Sequence, residues 1–250
     1  MTDDCPTLTL YSYTQAIDNA PQDDQVFIRD TYRKRAYANL TCERFQNAKD
    51  DALASCSGGE QDAKSYYTAG KAAYALREYS KSKEYFEKAL RVSPSDLRCG
   101  KDLLEALARI DEEQNGIYDF EKMSLSVTDQ HIYLDHADYS GETEINNTKY
   151  AGRGLFATQD IPAGGLVLCE KAFCLPDIYS GDEPNDLVLY NLNNNSRTQK
   201  PAQTALFLQL VQKLYNNPHL APSYFELDGG NYIRAGKEGA LVDGVPVIDT

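Results

Sequence analysis

AKSYYTAGKAAYALREYSKSKEYFEKALRVSP, residues 63–94, is the stretch that decides how the chain folds. Counted over 34 positions from Ala63, Tyr66 falls at position 4, Gly70 at 8, Ser82 at 20, Phe86 at 24, Ala89 at 27 and Pro94 at 32. Small residues at 8 and 20 let two helices approach closely, and the aromatics fill the space around them. The proline has no N–H to donate and ends the second helix. The spacing predicts one helix over Lys64–Leu76 and another from Tyr79 to about Val92. Thirty-four residues earlier, Tyr32, Ala36, Ala48 and Ala52 hold positions 4, 8, 20 and 24. One period held across two units is the mark of a helical repeat.

Working outward, Tyr13, Ala16 and Pro21 have the spacing of positions 24, 27 and 32. They read as the second helix of an earlier unit, so the chain is expected to begin inside a repeat. After Pro94, Leu103, Leu104, Leu107 and Ile110 recur at helical spacing and predict a helix over Leu97–Glu113, stopped by Asp111–Gly116. A stacked repeat needs a polar outer cap, and this helix is expected to supply it. The 34-residue pattern resembles the tetratricopeptide repeat, which implies a groove for an extended peptide or a partner helix. Lys64 matches one basic site of the family's carboxylate clamp, but Thr68 and Lys34 replace other members of it. Lys34, Arg35 and Lys64 are therefore expected to be solvated charges.

Beyond the helices, Ile132, Leu134 and His136 alternate with Tyr133 and Asp135 and predict a strand near Gln130–His136, with His131 and His136 at its surface or edge. Leu155–Thr158 and Leu166–Glu170 read as two further strands joined through Ile161-Pro162-Ala163-Gly164-Gly165. Leu206, Leu210 and Leu214, with Phe207 and Val211, predict an amphipathic helix over Ala202–Asn216.

The string from Gly152-Arg153-Gly154 through Leu155-Phe156-Ala157-Thr158 to the Leu166–Phe173 run resembles the first segment of a SET domain. With the repeats ahead of it, the chain looks like the fungal-type TPR and SET domain-containing proteins, relatives of the SET- and MYND-containing lysine methyltransferases. That resemblance implies an α+β chain, with all-α TPR helical repeats followed by an incomplete β-rich SET domain that carries a helical insert. The implied bounds are 7–125 for the repeats and 126–250 for the N-terminal part of a SET domain. The first strands would lie in 130–173 and the insert in 174–250. The resemblance also implies S-adenosylmethionine as cofactor, lined by Gly152, Arg153 and Gly154.

The family's second segment carries Asn-His-x-x-x-Pro-Asn and a channel tyrosine. No Asn-His pair occurs among His131, His136 and His219, so no catalytic residue is assigned and the chain is read as a fragment cut before that segment. It is expected to be a piece of a protein-lysine N-methyltransferase, inactive alone. The alternative is a TPR interaction scaffold with a non-catalytic SET remnant.

Composition narrows the partners. The net charge of −13 is a poor match for nucleic-acid phosphates or anionic lipid and suits a basic protein, such as a histone. A protein or peptide in the repeat groove is the other expected partner, with neither nucleic acid nor membrane bound directly. The six cysteines form no C-x-x-C pair and no zinc-finger spacing, so no metal is expected and they read as buried, reduced thiols. With no signal peptide and no long apolar run, the chain is expected in the nucleus or cytoplasm.

Overall fold

The computed structural model describes residues 6–57, 61–128, 133–149, 152–175, 189–191, 196–198, 201–227, 241–242 and 245–246. Seven helices come first: α1 (Pro6–Asp18), α2 (Gln25–Thr41), α3 (Phe45–Ser55), α4 (Ala63–Ala75), α5 (Tyr79–Val92), α6 (Leu97–Asn115) and α7 (Phe120–Ser126). From α1 to α6 each packs on the next, and α2 also reaches α4. Asp24, Asp62 and Asp96 accept backbone N–H groups at the starts of α2, α4 and α6, satisfying donors the helices leave open.

The 34-residue period is written into the turns. Glu43 and Arg77, 34 apart, are the described non-glycine residues with positive φ, +56° and +62°. Cys42, Glu43 and Arg44 donate to the carbonyls of Ala38, Leu40 and Asn39; Leu76, Arg77 and Glu78 donate to those of Ala72, Tyr74 and Ala73. The helices close on small residues. Ser82 Oγ donates to the Gly70 carbonyl at 2.9 Å, and a Cβ on Gly70 would stand 2.5 Å from the Phe86 ring. Ala36, Ala48 and Ala52 fill the matching places in the earlier unit, all nearly inaccessible. This half of the chain is compatible with a helical repeat.

Polar bonds tie neighbouring helices. Arg35 grips Asp51 with two hydrogen bonds of 2.8 and 2.7 Å and also reaches Thr14, so it braces α1–α3 and is not the solvated charge expected of it. Lys49, almost buried, meets Glu78 at 2.5 Å and joins α3 to α5. Tyr67 donates to Asp102 at 2.8 Å between α4 and α6. The turn does not recur a third time. Position 111, where Glu43 and Arg77 would lead, stays helical, and α6 runs on to a left-handed Gly116 with φ +65°. The outer side of α6, expected to be a polar cap, is mixed: Leu97 and Leu104 lie well exposed alongside Arg98 and Lys101.

The second half corrects the β-rich expectation. Among the described residues each sheet has two short antiparallel strands: β1 (Thr143–Asn147) with β2 (Arg153–Ala157), β3 (Leu189–Asn191) with β4 (Ser196–Thr198), and β5 (Leu241–Val242) with β6 (Val245–Pro246). Among the described residues no β-rich SET domain is evident. The expected strand at Gln130–His136 begins outside the described residues, and 133–136 form no strand. Just after them the backbone is tied to α6 and the segment that follows it: Ala137 N–H donates to Glu112, and Tyr118 OH donates to the Ala137 carbonyl. The expected strand at Leu166–Glu170 shrinks to one bridge between Tyr139 and Cys169. Gly141 beside Tyr139 and Gly164 before Leu166 both have positive φ, which breaks the extension a ladder needs.

The helix expected over Ala202–Asn216 is α8 (Pro201–Asn216), followed by a 3-10 turn (Pro218–Leu220) and α9 (Ala221–Phe225). Asn217, just past α8, donates to the Glu43 carbonyl at 2.9 Å, setting this end of the helix on the α2–α3 turn. No disulfide joins Cys42, Cys56, Cys99, Cys169 or Cys174, and of these only Cys99 is buried. Cys5 lies outside the described residues. Among the described residues no helix is long and apolar enough to cross a membrane.

Candidate functional site

Gly152, Arg153 and Gly154 sit where the loop after β1 enters β2. The register pairs Asn147 with Arg153, Asn146 with Gly154 and Ile145 with Leu155. Thr148 closes the loop, its N–H and Oγ1 both donating to the Gly152 carbonyl at 2.5 and 2.8 Å. Each of the three residues then does something different. Gly152 has φ +70°, which disfavours any side chain, and a Cβ there would meet nothing within 4 Å. Gly154 is crowded from its own hairpin: a Cβ would come within 3.0 Å of Thr148 and 3.1 Å of Phe156. Arg153 is half-exposed and turned towards α9, its Nη2 donating to the Glu226 carbonyl at 2.9 Å and its Nη1 lying 3.8 Å from the Glu226 carboxylate.

The hairpin is connected to the helices by a polar junction. Asp135 receives Tyr74 OH at 2.5 Å and Arg109 at 3.1 Å, with Lys171 Nζ 3.6 Å away. Asp138 pairs with Arg77 and accepts the Lys171 N–H at 2.8 Å. Glu112 is nearly buried, pairs with Arg109 and accepts the Ala137 N–H at 2.7 Å. Burial raises the Tyr74 hydroxyl pKa, and its bond to Asp135 adds to the rise. Burial lowers the Lys171 pKa, against the pull of Asp135. For Arg109 burial opposes the charge, but the Glu112 carboxylate outweighs it and the guanidinium is held charged. His136 is buried here, its Nδ1 2.8 Å from the Ala137 carbonyl and its ring edge-on to Tyr118. The surface position expected of it is therefore wrong; His131 lies outside the described residues.

A concavity of about 390 Å³ opens between α1, α2 and α4 and is lined by Tyr13, Asp30, Arg33, Lys34, Tyr37, Lys64 and Thr68. Asp30 bridges Arg33 and Lys34 at 2.8 and 2.7 Å. Its bond to Lys34 lowers the Asp30 carboxyl pKa and raises that of Lys34. Lys34 and Lys64 thus line a hollow that α1, α2 and α4 alone create.

The predicted trio is adjacent in space, with only Gly152 leaving its backbone face open. The junction of Tyr74, Arg77, Arg109, Glu112, Asp135 and Asp138 was not foreseen. Apart from the Arg109–Glu112 pair within α6, its partners lie 25 to 61 residues apart, so no local spacing announces them.

No family model matches the chain. A curated protein of the fungus Gibberella zeae, described as a methyltransferase, is 28% identical over 247 residues. The match covers 97% of this chain and 33% of that protein, so the chain spans about a third of its relative's length.

Proposed function

We propose that the chain is the repeat-bearing portion of a methyltransferase that uses S-adenosylmethionine. The observation that carries this is the 28% identity, held over nearly the whole chain, to the fungal methyltransferase. The finer reading, a TPR–SET protein-lysine N-methyltransferase, rests on the resemblance of Gly152–Phe173 and of the 34-residue pattern. Residues 7–125 are then the partner-binding part and 126–250 the cofactor-facing part.

S-adenosylmethionine, when bound, would supply a methyl group activated on a sulfonium for transfer to a deprotonated amine. Gly152 fits a place against such a group, because its backbone face is open and its φ of +70° favours glycine. Gly154 serves the hairpin itself, and Arg153, held by Glu226, positions the turn. The chain carries no Asn-His-x-x-x-Pro-Asn, so alone it is proposed to bind without turnover. A basic protein such as a histone is the proposed substrate, in keeping with the net charge of −13.

Ultraviolet cross-linking of the 250-residue chain with methyl-tritiated S-adenosylmethionine tests the cofactor reading. The expected label falls on the β1–β2 hairpin, is competed by S-adenosylhomocysteine, and is lost in Gly152→Val. Absence of competed label would sink the cofactor site, and labelling of added histone lysines would sink the claim of inactivity.

The hollow between α1, α2 and α4 favours a second reading, a scaffold that holds an extended peptide in the repeat groove. On that reading the chain captures a peptide partner with Lys34 and Lys64 intact and loses it in the Lys34→Glu, Lys64→Glu double variant, with or without cofactor.

A further inference from the structure

Each of the paired left-handed turns holds a segment from the second half of the chain. At the α4–α5 turn Arg77 pairs with Asp138, and Asp138 also accepts the Lys171 N–H. This turn therefore carries the approach to β1 and the segment after β2. At the α2–α3 turn the Glu43 carbonyl accepts Asn217 Nδ2 at 2.9 Å, from 174 residues away. The Arg44 guanidinium lies 5.6 Å from the centre of the Tyr215 ring beside it. This turn carries the end of α8. The repeat thus supplies two footings, one for each piece of the second half.

Asn217 is the centre of the α8 footing and is only 4% exposed. Its Nδ2 also reaches the Lys213 carbonyl at 3.2 Å, while its Oδ1 is buried without a hydrogen-bond partner. The amide is therefore oriented by its donations alone. From Asn217 the chain passes straight into the 3-10 turn and α9, and the Leu220 N–H donates back to the Asn217 carbonyl at 3.0 Å. The direction in which α9 sets out is fixed at this point. Just past α9, the Glu226 carbonyl accepts Arg153 from the β1–β2 hairpin at 2.9 Å. Lys213 supports the same placement, since its Nζ donates to the Phe173 carbonyl at 2.6 Å and lies over the Phe173 ring, on which Tyr224 of α9 stacks.

We propose that Asn217 is a positioning residue for the cofactor-facing turn. By seating α8 on the Glu43 turn it places Glu226 within reach of Arg153, and so sets the Gly152 turn from the repeats. The proposal rests on the reading of the β1–β2 hairpin as the cofactor-facing part. The repeats then do more than hold a partner, because the spacing of their turns sets the spacing of the two pieces that meet at Arg153.

Asn217→Leu keeps the approximate shape of the side chain and removes both donations. In the 250-residue chain, hydrogen exchange at 153–157 and 221–227 is expected to quicken at least about threefold, while α4 and α5 keep their protection. In an Arg153→Ala background the same substitution should add nothing at 153–157, because the link it acts through is already cut. Arg44→Ala, which removes the Tyr215 contact and leaves the buried amide in place, should quicken the same two segments by less. Competed label from methyl-tritiated S-adenosylmethionine on the hairpin should fall at least about threefold in Asn217→Leu, and no further in the double variant than in Arg153→Ala. Exchange at 153–157 that is indifferent to Asn217→Leu, or effects of the two substitutions that simply add, would overturn the proposal. Absence of competed label in the unsubstituted chain, with exchange as expected, would sink the cofactor reading alone and uphold the link from Asn217 to Arg153.

Discussion

Residues 25–92 and residues 133–175 are held in place by opposite means. In the first region the helices close on alanine, glycine and serine. Ala48, Ala52, Ala69, Ala72 and Ala73 are all inaccessible, and Phe86 lies against Gly70. In the second the chain is largely extended, and Val167, Leu168 and Phe173 remain about two-fifths exposed. It is held to the helices by Asp135, Asp138 and Glu112. The first region contains its own core. The second borrows its shape from the first, because Asp135 and the Ala137 N–H find Tyr74, Arg109 and Glu112 on α4 and α6.

The hardest test of that contrast is a matched pair of truncations. Phe86→Ala removes an inaccessible ring from between α4, α5 and α6 and is expected to cost about 3–5 kcal/mol in urea denaturation. Phe156→Ala, on a ring that is 43% exposed in β2, should cost under about 1 kcal/mol. Equal costs would mean that the hairpin has a core as dense as the repeats.

The junction gives a smaller and more local effect. Glu112→Ala leaves Arg109 nearly buried without its carboxylate and leaves the Ala137 N–H without its acceptor. The expected loss is about 2–3 kcal/mol, below that of a fully buried pair because Arg109 keeps Asp135. Hydrogen exchange should quicken at residues 135–139 while α2–α5 keep their protection. Equal quickening in both regions would show that the helices also depend on the junction.

The same contrast decides what the sequence reveals. The bounds of α5 were legible because Pro94 and the small residues act within a few residues of themselves. The paired turns at Glu43 and Arg77 follow from the same period, although neither is a residue that favours positive φ. The end of α6 was legible to within two residues: the helix expected over Leu97–Glu113 runs to Asn115 and stops at left-handed Gly116, inside the Asp111–Gly116 run read as its stop. The alternation of Ile132, Leu134 and His136 reads as a strand. It does not become one among the described residues because Asp135 and Asp138 find Tyr74 and Arg77, each 61 residues away. At the candidate site, glycine at 152 was legible as a turn. That Gly154 is filled by Phe156, and that Arg153 is drawn to Glu226, depend on contacts no spacing encodes.

Acid should loosen the self-contained region through Glu78, which is less exposed than Asp30, the other carboxylate held low there. Burial alone would raise the Glu78 pKa, but the hydrogen bonds from Lys49 and Lys81 outweigh it and hold the carboxyl below its ordinary value of 4.5. A carboxyl lowered in the folded state stabilises fully above its unfolded pKa, and that contribution disappears as pH falls through the folded value. The window therefore opens near pH 4.5 and extends downward. Glu78 keeps 29% of its side chain exposed, so solvent screens the pair and the contribution is at most about 1 kcal/mol. In Glu78→Gln, urea midpoints should fall slightly at neutral pH and lose part of their decline between neutral and acid. Because Glu78 joins α3 to α5 inside the repeats, its loss should leave exchange at 133–139 unchanged. If those amides quicken first on acidification of the native chain, the junction is the weaker of the two regions in acid, and the repeats hold together without the Lys49–Glu78 pair.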